Sequence, residues 1–293
     1  MHLASRLRGK FPRLALTEDF SFARHTTIGC GGSAEAAAMP ACLEEAAQLL
    51  TFLERERIPY CYLGAGANVL PAEGRFEGVV VRFCNMNTLY ADGTLLYAGA
   101  GVTGGRLLAF AAANAIGGFE PLSGIPTSVG GGITMNAGVK ELHFGDVTER
   151  VIASEKGKIY TLSQSECRFS EKSSLFQQGI AVLGAYFTGK RSDARTIAAR
   201  ACDFRRRRAG LPKGRSMGCA FVNPPDRSAG ELIEKCGLKN TRVGGARVSE
   251  IHANFILNEG GTADDILALA ELVKARVYMQ TGITLREEFR RIP

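Results

Sequence analysis

The stretch from Gly117 to Gly138, GGFEPLSGIPTSVGGGITMNAG, constrains this chain more than any other. It holds seven glycines in 22 residues, with no repeat and little periodicity. Its dipeptides (Ile-Pro, the run of three glycines, Asn-Ala-Gly) are too varied for a flexible spacer. A long glycine-rich segment inside a compact domain is usually a functional loop. The chain has 35 glycines against 10 prolines, which implies many tight turns and close backbone approaches. Its 293 residues suit two domains. With 45% hydrophobic and 22% charged residues, the balance is that of a globular enzyme.

Regular elements flank the loop. Residues 34–56 contain an amphipathic helix, with Leu43, Ala46, Leu50 and Leu53 on one stripe. Strands are expected at 58–63, 78–83 and 94–98, and a helix at 105–115. Short strands alternate with turns from 147 to 189. A basic helix is expected over 191–209, a short helix at 228–238 and a strand at 253–257. Thr262 with Asp265 three residues on marks the start of the last helix, and Gly282 its end. The closing ITLREEFRRI alternates like a strand.

Charge and cysteines narrow the function classes. Residues 190–215 hold ten Lys or Arg against two Asp, so this segment accounts for the whole net charge of +7. Such local basicity fits an anionic ligand better than a nucleic-acid surface, and the arginine run lacks the interleaved aromatics of single-strand binders. A solvated helix face accounts for any single arginine equally well. The eight cysteines stand at 30, 42, 61, 84, 167, 202, 219 and 236, with no C-x-x-C pair for zinc. No metal is implied. No run of 18 apolar residues is present. Residues 1–16 are basic and mildly amphipathic, without the apolar core of a signal peptide. A cytoplasmic place is the expectation.

Three glycine patterns compete for a cofactor. Gly99-x-Gly101-x-x-Gly104 follows a strand and opens a helix, with Glu120 downstream. A dinucleotide fold needs a second buried parallel strand directly after that helix; here Gly117-Gly118 and a loop with Pro121 and Pro126 follow instead. The pattern is read as a tight turn at a helix start. Gly64-Ala65-Gly66-Ala67-Asn68 ends a strand, and successive N–H groups freed by small residues form an anion nest, with Asn68 as an added donor. The third pattern is Gly124-Ile125-Pro126-Thr127-Ser128-Val129-Gly130-Gly131, followed by Asn136-Ala137-Gly138.

Together with Phe144-Gly145-Asp146-Val147 and the opening His25-Thr26-Thr27, the last two patterns resemble the UDP-N-acetylenolpyruvoylglucosamine reductase family. The likeness continues through Gly218-Cys219-Ala220-Phe221-Val222-Asn223-Pro224, Ala229-Gly230-x-Leu232-Ile233-Glu234, Gly244-Gly245-Ala246, His252-Ala253-Asn254-Phe255-Ile256 and Leu285-x-x-Glu288-Phe289-Arg290. It runs in order over nearly the whole chain and matches the shorter subtype. It implies an α+β architecture: a vanillyl-alcohol-oxidase-type (PCMH-type) FAD-binding domain of two α+β subdomains over 1–197, and a smaller α+β substrate-binding domain over 198–293.

The resemblance also implies a reaction. The family reduces the enolpyruvyl ether of UDP-N-acetylglucosamine enolpyruvate to UDP-N-acetylmuramate, a peptidoglycan precursor, using FAD and NADPH. FAD contacts are implied for Gly64, Ala65, Gly66, Ala67, Asn68, Gly124, Ile125, Pro126, Thr127, Val129, Gly130, Gly131, Asn136, Ala137 and Gly138. The catalytic group implied is Cys219, where the family has a proton-donating serine, with Glu288, and Lys172 where the family has an arginine. A thiol, with a reference pKa of about 8.5, is the stronger acid. Lys172 keeps the charge but loses the bidentate fork, and Val222 replaces a lysine. Arg205, Arg208 and Asn223 are the expected ligands of the uridine diphosphate. A monomer is expected. Two alternatives are an oxidase of the same cofactor fold acting elsewhere, and an impaired or repurposed flavoprotein that still binds a nucleotide-sugar.

Overall fold

The computed structural model describes residues 3–293; the first two residues of the basic N-terminal stretch lie outside them, and Leu3–Lys10 is helical. The chain forms two compact units. The first takes residues up to 18, 36–65 and 78–209; the second takes 19–35, 66–77 and 210–293. This differs from the expected division at 197/198. The basic helix Ala194–Arg208 stays with the first unit, because it packs on the 3-10 turn Glu120–Leu122 and the helix Gly104–Ala113. The second unit also recruits two early segments that no local signal marks.

The first unit has two separate cores, in keeping with two α+β subdomains. In one, the helix Leu43–Arg55 buries Ala46, Leu49, Leu50 and Leu53, each leucine removed from water at about 1.5–3 kcal/mol. Glu44 and Glu45 in its first turn complement the helix dipole. The helix begins later than the 34–56 pattern allows, because Ser33–Met39 is a strand. Its alanines at 34, 36, 37 and 38 are fully buried; tertiary packing overrides alanine's helical preference, and Pro40 separates the two elements. That strand sits second in the order 15–21, 33–39, 75–81, 60–62.

The other core lies under a five-stranded sheet in the order 158–163, 148–155, 181–188, 95–99, 89–92. Its pairings are antiparallel, which excludes a dinucleotide fold around the strand Leu95–Gly99. A Cβ on Gly101 would strike the Phe83 carbonyl, so that glycine permits close backbone approach. Glu120 is buried and accepts from the Gly118 N–H at 2.8 Å: it closes a local turn.

The second unit is built on the helix Ala263–Thr281, which buries Ile266, Leu269, Ala270, Val273 and Val277. Its capping box forms as read from sequence: Thr262 Oγ1 accepts from Asp265 N–H, the Asp265 carboxylate accepts from Thr262 N–H, and Gly282 ends the helix with φ +70°. A four-stranded sheet in the order 216–219, 255–258, 246–248, 242–243 covers it. Two short pairings finish the unit. Phe221–Val222 runs antiparallel to Arg286–Glu287, and Arg290–Ile292 runs parallel to Val69–Pro71. No described helix is long and apolar enough to cross a membrane, and no described group of three or more metal-ligating side chains forms a metal site.

Candidate active site

The strand Tyr60–Tyr62 delivers the chain into the first glycine-rich loop. Among the described residues, the backbone N–H groups of Gly64, Ala65, Gly66, Ala67 and Asn68 find no protein acceptor. Five successive donors without a protein acceptor are the kind of backbone that suits an anion. Gly66 has φ +68° and faces the His25 carbonyl where a Cβ would stand, so only glycine fits there. The Asn68 side chain also bonds within the protein. Its Nδ2 donates to the Glu288 carbonyl at 3.1 Å, and its own carbonyl accepts from Arg290 N–H at 2.9 Å. It ties the end of this loop to the segment that carries Glu288.

The second loop reaches the first at Gly64. A Cβ on Gly64 would lie 2.7 Å from Ser128 Oγ, so two loops about sixty residues apart close on one another. Ser128 caps the short helix Val129–Thr134 by accepting from Gly131 N–H at 3.3 Å. Val129 and Gly130 N–H donate to Val102 and Ala100 carbonyls. These amides therefore anchor the loop and do not face a ligand. Thr127 is held likewise: its carbonyl accepts from Gly104 N–H and its hydroxyl donates to Ser128 O. Ile125 packs against the sheet's core and precedes Pro126. Ser123, directly before Gly124, is buried with no partner for its hydroxyl among the described residues. A buried orphan hydroxyl is costly, and it fits a loop completed by a bound polar cofactor.

Asn136 is buried and fully engaged: Oδ1 accepts from Gly145 N–H and Nδ2 donates to the Ser170 carbonyl, both at 2.8 Å. Ala137 and Gly138 pair with the chain at Phe144 and His143. This end of the loop is a buttress, and it holds the Ser170–Ser173 turn that presents Lys172. Lys172 sits at φ +55° with its carbonyl accepting from Gln177 Nε2.

Arg205 and Arg208 belong to the first unit and lie over the loop at Gly124. Arg208 Nε donates to the Gly124 carbonyl at 3.1 Å, and a Cβ on Gly124 would meet the stems of both arginines. Asn223 belongs to the second unit, where its Oδ1 accepts from Ala229 N–H at 3.0 Å at the start of the helix Ala229–Lys235. Each of Arg208 and Asn223 has a structural task that sequence reading did not supply.

In the second unit the strand pairing sets Glu288 opposite Ala220. Glu288 N–H donates to the carbonyl of Ala220, the residue after Cys219, at 2.8 Å. The adjacent Glu287 is engaged in structure: Arg291 and Lys274 bind its carboxylate at 2.7 and 3.0 Å. Burial opposes its ionisation, but the bonds from Arg291 and Lys274 win and hold its carboxyl below the usual carboxylate range. The same register sets Arg286 directly across from Val222, and opposite residues of an antiparallel pair share a face. A basic residue is thus paired with Val222, which only the register reveals.

The matches to known proteins cover both units. Residues 34–163 match the FAD binding domain family, and residues 211–292 match the family described as UDP-N-acetylenolpyruvoylglucosamine reductase, C-terminal domain. The UDP-N-acetylenolpyruvoylglucosamine reductase of Geobacter sulfurreducens is 38% identical, over 98% of this chain and 96% of that protein. The enzyme of the same name from Geobacter metallireducens is 37% identical, over 98% and 97%. The crystal structure of the Thermus caldophilus reductase superposes with a TM-score of 0.82 at 33% identity, covering 96% of this chain and 99% of that one.

Proposed function

The chain belongs to the UDP-N-acetylenolpyruvoylglucosamine reductase family, and from that premise we infer that it reduces UDP-N-acetylglucosamine enolpyruvate to UDP-N-acetylmuramate in peptidoglycan precursor synthesis. It is an FAD-dependent oxidoreductase with NADPH as reductant. The observation that supports the catalytic assignment is the backbone bond from Glu288 N–H to the carbonyl of Ala220, the residue after Cys219.

FAD supplies the hydride chemistry when bound. The Gly64–Asn68 nest fits its pyrophosphate, and the Gly124–Gly138 loop, with its orphan Ser123 hydroxyl, completes the cradle. Cys219 is the proton donor to the carbon of the enol double bond that does not receive hydride. Glu288 polarises the enolpyruvyl group or relays protons, and the Lys172 ammonium offsets the negative charge that grows on the carboxylate. Arg205 and Asn223 are assigned to the diphosphate, with Arg208 bracing the cofactor loop through Gly124. The reading as an impaired flavoprotein rested on Lys172 and Val222; Arg286 across from Val222 weakens it. The nucleotide substrates support a cytoplasmic reading, and a monomer is the reading we adopt.

The test is product analysis. With FAD, NADPH and the enolpyruvyl substrate, the product should gain the mass of one hydride and one proton. In heavy water the proton's place should carry deuterium. NADPH consumption without that product would remove the assignment.

A further inference from the structure

Cys219 stands at an irregular point of its strand. Ser216 pairs with Leu257 and Cys219 with Phe255, so Met217 and Gly218 on one strand oppose Ile256 alone on the other, and the register shifts between them. Such bulges bend a strand and re-aim side chains, often beside active sites. A bulge also loosens the ladder, so something else has to hold the chain after it.

Asn254 does this. It is buried at 3% exposure and makes three bonds to the two residues that follow Cys219. Its carbonyl accepts from Ala220 N–H at 2.7 Å. Its Oδ1 accepts from Phe221 N–H at 2.9 Å, and its Nδ2 donates to the Phe221 carbonyl at 2.8 Å. The amide orientation is unambiguous, since an N–H requires the oxygen and a carbonyl requires the nitrogen. With Glu288 N–H on the Ala220 carbonyl at 2.8 Å, the backbone polar groups of Ala220 and Phe221 are satisfied by Asn254 and Glu288. The side chain thus takes the place of a strand neighbour where the bulge has removed one. Asn254 N–H is itself oriented by His252 Nδ1 at 3.2 Å.

We propose that Asn254 is a positioning residue for proton transfer: it fixes the peptides between Cys219 and Phe221 so that the thiol and Glu288 hold one geometry. This rests on the reading of Cys219 as the proton donor. Misplacing a reacting group by an ångström costs about a hundredfold in rate, so a clamp on these peptides acts on the chemical step without touching substrate.

The experiment uses the FAD-loaded, full-length protein in an anaerobic rapid-mixing instrument that separates flavin reduction by NADPH from flavin reoxidation by substrate. Asn254→Asp keeps the acceptor and loses the donor to the Phe221 carbonyl. It should slow reoxidation about 10- to 100-fold while leaving reduction by NADPH within about twofold. Asn254→Ser, smaller and uncharged, should behave alike, and FAD content with the unfolding midpoint shows that each variant is folded. In a Cys219→Ala background the same Asn254→Asp change should cost less than about threefold, because coupled residues are non-additive. Reoxidation at the wild-type rate in the Asn254 variants, or an equal slowing with and without Cys219, overturns the proposal and leaves Asn254 a structural residue. Wild-type reoxidation in Cys219→Ala alone overturns the proton-donor reading beneath it, whatever Asn254 does.

Discussion

Replacing Gly64 by alanine probes the closure of the two loops. The new methyl would stand 2.7 Å from Ser128 Oγ, while Gly131 Cα at 3.7 Å and N at 3.8 Å remain at ordinary contact. Ser128 alone must yield. Its hydroxyl caps Gly131 N–H, so rotating it away forfeits an N-cap worth about 1 kcal/mol. Shifting the loop instead costs the 1–3 kcal/mol, roughly, of an overpacked contact. The cheaper route sets a floor of about 1 kcal/mol and the dearer one a ceiling near 3. If the cost falls on the cofactor-ready loop, FAD dissociation constants rise about 5- to 150-fold, since each 1.4 kcal/mol is roughly tenfold. Flavin titration followed by fluorescence measures this. Ser128→Ala alone forfeits the same cap, so in the Gly64→Ala background it should cost little further. Wild-type FAD affinity in Gly64→Ala, or strict additivity of the two changes, would refute the clash as the cause.

Cys219→Ser should retain or raise turnover, whereas Cys219→Ala should keep fast flavin reduction by NADPH and slow substrate reduction by about 10²- to 10⁴-fold, the usual contribution of a general acid; normal turnover in Cys219→Ala contradicts the assignment. Burial pushes the His252 imidazole below its ordinary pKa of 6.5, with Lys239 acting in the same sense. Below pH 6.5 the unfolded chain therefore takes a proton that the folded protein resists, so stability falls with pH until the folded pKa is passed. His252→Asn, which keeps an acceptor for Asn254 N–H, should flatten that acid limb in urea unfolding, and an unchanged limb counts against it. Asn258 is buried, donates to the Ile28 carbonyl at 2.9 Å and accepts from Gly261 N–H at 2.7 Å. Asn258→Ala should cost about 1–3 kcal/mol in urea unfolding through the orphaned carbonyl; a loss under about 0.5 kcal/mol contradicts a structural role.

Local chemistry was readable where it decides local structure. The helix Ala263–Thr281 was bounded by Thr262, Asp265 and Gly282 because a capping box and a left-handed C-cap leave few alternatives. The false dinucleotide fingerprint was dismissed on Pro121 and Pro126, and the antiparallel neighbours of Leu95–Gly99 agree. What escaped reading depends on contacts distant in sequence. The strand Ser33–Met39 hides in an alanine run whose own preference is helical. The parallel pairing of Arg290–Ile292 with Val69–Pro71 joins segments far apart in sequence, and no local pattern announces it. Site residues divide similarly. The glycine patterns of both loops stand out in the sequence, whereas the bonds of the Asn68 and Asn136 side chains to the protein's own backbone do not. Asn254 and Arg286 gain meaning only from register.

The most direct measurement is anaerobic stopped-flow absorbance of the FAD-loaded protein in the flavin's visible band. NADPH should bleach the band, and UDP-N-acetylglucosamine enolpyruvate should then restore it at a rate that accounts for steady-state turnover. Bleaching that the substrate cannot reverse would contradict the reductase reading and leave a flavoprotein acting on something else; a protein that takes up no FAD would contradict the cradle itself.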